Sequence, residues 1–334
     1  MIRFLCVSLL WIVTIGLSPA VQAVTLKIAT LSPEGSSWMK LLRSHAKAIS
    51  DQTDGEVKFK FYPGGVMGDD KAVLRKMRVG QLHGAVLTAG GLAQTYPDIV
   101  SYNMPMWFRD EAEIDHVRAT MDDVLMAGLR KNKFVGFGFA EVGFAYPMSQ
   151  VRTSAVTEVR KRKVWVPDND PASLRAFEAF KIAPIPLPIA DVLAGLQTGL
   201  IDSIASPPVG TIALQWYTQV EHAIDLPLLY VYGLFAIGER AFDRMSVEHQ
   251  AITTKELRAA VRGADASARR DHESAKAALG NQGISWITPS EAELADWNQL
   301  AASAREQVAE SGLISEGVYQ QIESLLTEFR AGAR

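Results

Sequence analysis

Apolar and polar residues alternate along this chain in two rhythms that trade places every ten to twenty residues. Thr25 to Thr30 reads as a strand, and Ser37 to Ser50 as an amphipathic helix. Val57, Phe59 and Phe61 alternate with lysines at period two, the mark of a half-buried strand. Pro63-Gly64-Gly65 breaks the chain. Asp69-Asp70 then stands where a helix start favours acid, Lys71 to Val79 carries the next helix, and Gly84 to Thr88 is a short buried strand. Asp115 to Lys131 reads as a helix and Phe134 to Phe139 as a strand in which phenylalanines alternate with glycines. Such alternation builds mainly parallel sheets with helices on their faces, and ligands sit beside the carboxyl ends of the strands.

A second α/β unit is expected from Phe144 to about Tyr230. Phe144 to Ser149, Lys163 to Val166 and Leu200 to Ala205 are its strands, and Pro171 to Phe180 and Asp191 to Thr198 its helices. From Ser246 to Ala278 the chain has no proline, is rich in Ala, Arg and Glu, and stays helix-compatible for about 30 residues, roughly 45 Å at 1.5 Å per residue. A helix of that length is best explained as a spine crossing two bodies. A break is expected at Gly280-Asn281-Gln282-Gly283, with further helices from about Ser290 and Ser315.

Length supports this division, since 334 residues suit two domains better than one. With 48% hydrophobic and 21% charged residues the composition is globular. A net charge of −3 offers no positive field for a phosphate backbone, so nucleic acid is not an expected partner. Arg3 precedes an apolar stretch, Phe4 to Leu17, that closes on Val21-Gln22-Ala23. This reads as an export signal cleaved after Ala23, because Ser18 and Pro19 interrupt the stretch before it could span a bilayer. The only cysteine, Cys6, would leave with it, and a periplasmic location follows as the expectation.

Motifs for chemistry are sparse. The six histidines, at 45, 83, 116, 222, 249 and 272, include no pair at helical zinc spacing, and no nucleophile elbow, phosphate loop or dinucleotide fingerprint is present. Asp168, Asn169 and Asp170 suggest either calcium or a cap before Pro171, and the absence of a completing Gly and Glu favours the cap. No cofactor and no metal are expected. Glu141, Asp168 and Asp191 are the acids a secreted hydrolase would use, but nothing in their spacing singles them out. Two α/β bodies with aromatic residues near loops suit capture of a ligand between them.

Several segments resemble the DctP-type solute-binding proteins of TRAP transporters. Gly64-Gly65-Val66-Met67-Gly68-Asp69-Asp70 followed by Val79-Gly80-Gln81-Leu82-His83-Gly84 is similar to one of their signatures. Met104 to Asp110, Lys163-Val164-Trp165-Val166-Pro167 and Ala194 to Asp202 match three more, in the same order over nearly the whole chain. The resemblance implies a two-lobed α/β receptor, not an enzyme, that closes on a small organic solute and delivers it to membrane permease subunits. It implies lobe I from 24–143 plus 232–271, lobe II from 144–231 plus 272–334, hinge strands between them, and a monomer.

The same resemblance implies a ligand-binding arginine where this chain has Trp165, an asparagine where it has Ser206, and a second arginine near Phe144 or Ala145. An indole offers one neutral N–H and a π face in place of a planar pair of charged donors. Either Lys163, two residues from Trp165 on the same strand face, supplies the missing cation, or the solute is less charged and more apolar; the second reading is preferred. Trp165, Phe144, Tyr146, Trp38 and Trp216 are candidates for stacking surface, each with a core reading beside it; the pocket is preferred for Trp165, neither for Trp38, and the core for Phe144, Tyr146 and Trp216. Thr88 either meets the solute or caps the helix before Ala89-Gly90-Gly91. Glu141 is a pocket acid, a hinge acid or a solvated loop charge, with the last preferred. A periplasmic sensing receptor has the same signature as a transport receptor.

Overall fold

The computed structural model describes residues 23–168 and 170–332, so the expected export signal and Cys6 lie outside the described residues, Ala23 excepted. The chain opens with β1 (Val24–Thr30), α1 (Ser37–Gln52), β2 (Val57–Tyr62), α2 (Asp70–Arg78) and β3 (Gly84–Thr88). The strands β2 and β3 flank β1 in parallel, with Ile28 opposite both Phe61 and Gly84. Parallel neighbours need crossovers, which α1 and α2 supply. In α1, Met39, Leu42, Ala46 and Ile49 fall on one buried face, and Ser36 accepts from the Met39 N–H to cap the start. A short α3 (Ala89–Leu92), a 3₁₀ helix over Pro97–Asn103 and α4 (Glu111–Lys131) complete this first lobe.

The second lobe holds the carboxyl half of β4 (Phe134–Ser149), then α5 (Val156–Val159), β5 (Trp165–Pro167), α6 (Pro171–Ala179), β6 (Ile185–Leu187), α7 (Val192–Gln197), β7 (Ser203–Ser206), α8 (Pro208–Ala213) and β8 (His222–Ile224). The chain returns through β9 (Leu229–Gly238), α9 (Glu239–Phe242) and α10 (Val247–Asn281). It ends with β10 (Ser285–Ile287), α11 (Glu291–Glu310) and α12 (Glu316–Gly332), the last packed against α4 and the 97–103 helix.

One sheet runs β10-β8-β4-β9-β3-β1-β2, with β7 also paired to β4. The amino half of β4 pairs with β9, and its end, from Tyr146 to Ser149, pairs with β7. A bridge from Val164 to Ser203 ties the parallel β5–β6 pair to this second-lobe part.

Two strand expectations thus become one element. Phe134–Phe139 and Phe144–Ser149 are a single 16-residue strand interrupted by register shifts at Gly136/Phe139 and Glu141/Gly143. Gly138 and Gly143 take φ of +123° and +110° there, and a bulge interrupts the two-residue rhythm that marks a strand. The spine is present and slightly longer than expected: α10 has 35 residues, about 50 Å, and passes through the expected break to Asn281. Its Leu257, Ala260, Val261 and Ala264 share a core with α1, whereas Leu279 belongs to the large core that includes Met148, Leu196 and Ile204 of the second lobe.

Candidate functional site

The carboxyl ends of the first-lobe strands and of β5 are brought face to face. Lys71 of α2 donates from Nζ to Asp168 Oδ2 at 2.7 Å and to the Asp168 carbonyl at 3.1 Å. Asn103 donates to Asp170 Oδ2 at 3.3 Å. Asp170 also caps α6 by accepting from the Ala172 and Ser173 N–H groups at 3.1 Å, as its place before Pro171 predicts. These contacts lie at the carboxyl end of β5, the side on which open α/β sheets hold ligands.

On the second-lobe side, Trp165 and Trp216 meet edge to face with ring centroids 5.2 Å apart, and they are only 5% and 3% exposed. The Trp165 indole N–H donates to the Leu187 carbonyl at 3.0 Å, which fixes the ring and occupies its single donor. Lys163 points away from this pair; its Nζ donates to the Gly199 carbonyl at 2.7 Å from an exposed position. Ser206, buried, is the cross-strand partner of Tyr146, and its hydroxyl donates to the Pro207 carbonyl at 3.2 Å. Tyr146 itself turns to α10 and β10. It stands 3.5 Å from His272 Nε2, packs edge-on to Trp286, and lies beneath the Lys276 ammonium at 5.2 Å. Phe144 packs edge-on to Tyr230.

On the first-lobe side, Thr88 fulfils the capping alternative, accepting from the Gly91 N–H at 3.1 Å while donating to Asp70 Oδ2 at 2.6 Å. Asp70 is buried at the edge of a shallow recess shared with Thr30, Leu31, Gly65, Met67 and Val86. Trp38 lies apart from the other rings, against the core between α1 and α10. The structure thus joins Trp165 with Trp216 and pairs Tyr146 with Ser206, and it places Thr88 beside Asp70 and Trp38 outside this grouping.

Glu141 is neither solvated nor on an open loop. Its carboxylate is 2% exposed and accepts from Arg269 Nε and Nη2 at 3.1 and 3.0 Å and from Tyr230 OH at 3.1 Å. Burial pushes its pKa up against the opposing pull of Arg269. Arg118 extends the network to Asp122, Asp265, Tyr230 and the Phe139 carbonyl, and Arg269 grips Asp115 with two nitrogens. These residues join α4, β4, β9 and α10 where β4 is bulged against β9. The three acids proposed for hydrolysis do not converge: Glu141 is held by Arg269, Asp168 by Lys71, and Asp191 is exposed.

Sequence reasoning missed Lys71, Asn103, Arg118 and Arg269. Only Lys71 carried a local signal, as the residue after the Asp69-Asp70 helix start; the others acquire their roles from partners far along the chain.

The family model for bacterial extracellular solute-binding protein, family 7 (DctP), matches residues 28–311. The 2,3-diketo-L-gulonate-binding periplasmic protein YiaO of Escherichia coli is 27% identical over 213 residues, 60% of this chain and 62% of that protein. The sialic acid-binding periplasmic protein SiaP of Vibrio cholerae is 24% identical over 202 residues, 59% of this chain and 62% of its own length. The chain thus spans about three fifths of these curated relatives. Among solved structures, the sugar acid binding protein DctPAm of Advenella mimigardefordensis, in complex with galactonate, superposes with a TM-score of 0.85 at 17% identity, over 92% of this chain and 99% of that one. A TRAP periplasmic solute-binding protein of Haemophilus influenzae with bound L-gulonate gives 0.84 at 18% identity, over 90% and 99%. Its two-lobed fold and the match across most of its length agree: this chain belongs to the DctP family of bacterial extracellular solute-binding proteins.

Proposed function

We propose that the protein is the periplasmic receptor of a TRAP-type secondary transporter, not an enzyme, and that it captures a small organic solute between its lobes for membrane permease subunits. Family membership over residues 28–311 is the observation that carries this reading. Similar proteins are named for, or hold, L-gulonate, galactonate and sialic acid. No helix among the described residues is long and apolar enough to cross a membrane, which suits a receptor that meets its permease as a separate body.

The solute is less charged and more apolar than a sugar acid. Supporting this, Trp165 and Trp216 form an apolar edge-to-face pair, the Trp165 N–H is taken by the Leu187 carbonyl, and neither Lys163 nor Lys71 is a free cation. Ring contacts of this kind add about 0.5–1.5 kcal/mol per pair beyond area burial.

Thermal unfolding with matched pairs of carboxylates and their uncharged amides tests both parts. A solute at a hundred times its Kd stabilises the folded receptor by about 2.7 kcal/mol. Stabilisation by amides with none by carboxylates is the expected outcome, and Trp165→Arg should reverse it. Strong carboxylate binding by the unaltered protein would overturn the less-charged reading. Turnover of any compound, lost on replacing Glu141, Asp168 or Asp191, would overturn the receptor.

A further inference from the structure

Asp168 and Asp170 follow directly from β5, the strand that carries Trp165, and they reach three separate first-lobe elements. Lys71 Nζ donates to the Asp168 carboxylate and carbonyl, and this pair is 38% and 24% exposed, open enough to feel salt. Asn103, at the end of the 97–103 helix, donates to Asp170. Gly90 of α3 backs onto the same residue so closely that a β-carbon on it would stand 2.8 Å from Asp170 Cβ and 3.1 Å from its Cα. Asp170 is itself rigidly placed, since Oδ1 holds two N–H groups of α6 and Oδ2 accepts from Ser173 Oγ at 2.7 Å. A fixed helix start on one lobe thus meets an ammonium, an amide and a bare backbone patch on the other.

We infer that these contacts are a catch: they hold the lobes together partly without solute, so Lys71, Gly90, Asn103, Asp168 and Asp170 act as positioning residues that set solute affinity without touching the solute. Apparent affinity scales with the fraction of molecules already in the competent form, so a catch changes it through that fraction alone. The inference rests on the crevice being the solute site, as proposed above.

The test needs no solute. The purified protein, unfolded and refolded to strip any carried-over compound, is measured by small-angle X-ray scattering at about 10 mM and about 1 M salt, where the Debye length is about 30 and 3 Å. The unaltered protein is expected to be more compact at low salt. Lys71→Met should shift the open-to-closed ratio about three- to five-fold and abolish the salt response. Gly90→Ala should enlarge the particle at both salts, because its methyl group clashes only when the lobes meet. Asp168→Asn repeats the Lys71 test should that variant not fold, and unchanged unfolding midpoints show that each variant is intact. Superimposable scattering curves for all forms at both salts would overturn the catch. So would opening by Gly90→Ala alone, since a wedge needs no attraction to remove. Either result is independent of which solute class binds, so failure of the less-charged reading leaves it untouched.

Discussion

Gly143 meets two demands that no other residue type meets together. Its φ of +110° lies where side chains are strained, and a β-carbon there would stand 3.0 Å from His272 Nδ1. Gly143→Ala should therefore destabilise the fold by about 1–3 kcal/mol in urea unfolding, with the midpoint rather than the slope moving. His272, on the other side of that contact, has its pKa pushed below the ordinary 6.5 by burial, with Glu273 and Glu111 pulling it up and Lys276 pushing it down. Below 6.5 the unfolded chain takes the proton before the folded one, so acidification through that window costs stability until the buried ring titrates too. Urea midpoints at about pH 7.5 and about pH 5.5 should fall further in the unaltered protein than in His272→Gln, and equal losses would assign the acid sensitivity elsewhere. Trp165 shows how far single residues were legible. The indole was visible in Lys163-Val164-Trp165-Val166-Pro167, but the carbonyl that occupies its N–H belongs to Leu187, on a strand defined only by tertiary pairing with β5.

Among elements, the crossing of β4 and β9 beneath α4 and α10 concentrates the buried charge. Removing Arg269 would take from Glu141, 2% exposed, the cation that opposes its burial, while Tyr230 would remain as a neutral donor. Arg269→Met is expected to cost about 3–5 kcal/mol by chemical denaturation. Glu141→Gln, which retires the buried charge itself, should cost clearly less; equal costs would mean that the pairing is incidental to this crossing. Elements with one clean rhythm were legible: Gly84–Thr88 appears as read, and α1, α2 and α10 lie within a few residues of their expected ends. The failures have physical causes. Bulges split β4 into two apparent strands, and β9, buried on both faces, is an almost unbroken apolar run with no alternation to mark it. Glu141 looked like a loop charge because Arg269 and Tyr230, which bury it, are remote in the chain.

At the scale of the whole molecule, both lobes share β4, β9 and α10, so a solute that stabilises closure must act on a body joined by continuous elements. Native mass spectrometry of the exported protein should reveal a co-purified small molecule that is lost on unfolding, and consistent recovery of none would weaken the capture reading. The two-lobed plan was legible from the alternation of elements and from four short motifs in register. The meeting of Lys71 with Asp168 was not, because it joins segments that only folding brings together. The pairing of β3 with β9, Gly84 opposite Ile237 through Thr88 opposite Gly233, also bears on how the chain is made. During vectorial emergence from the ribosome, β3 presents an open hydrogen-bonding edge until most of the polypeptide has appeared, an adhesive interval in which neighbouring nascent chains can pair with it. A chain stopped after residue 228 keeps that edge permanently, and it is expected in the insoluble fraction of a lysate where the full-length protein is soluble.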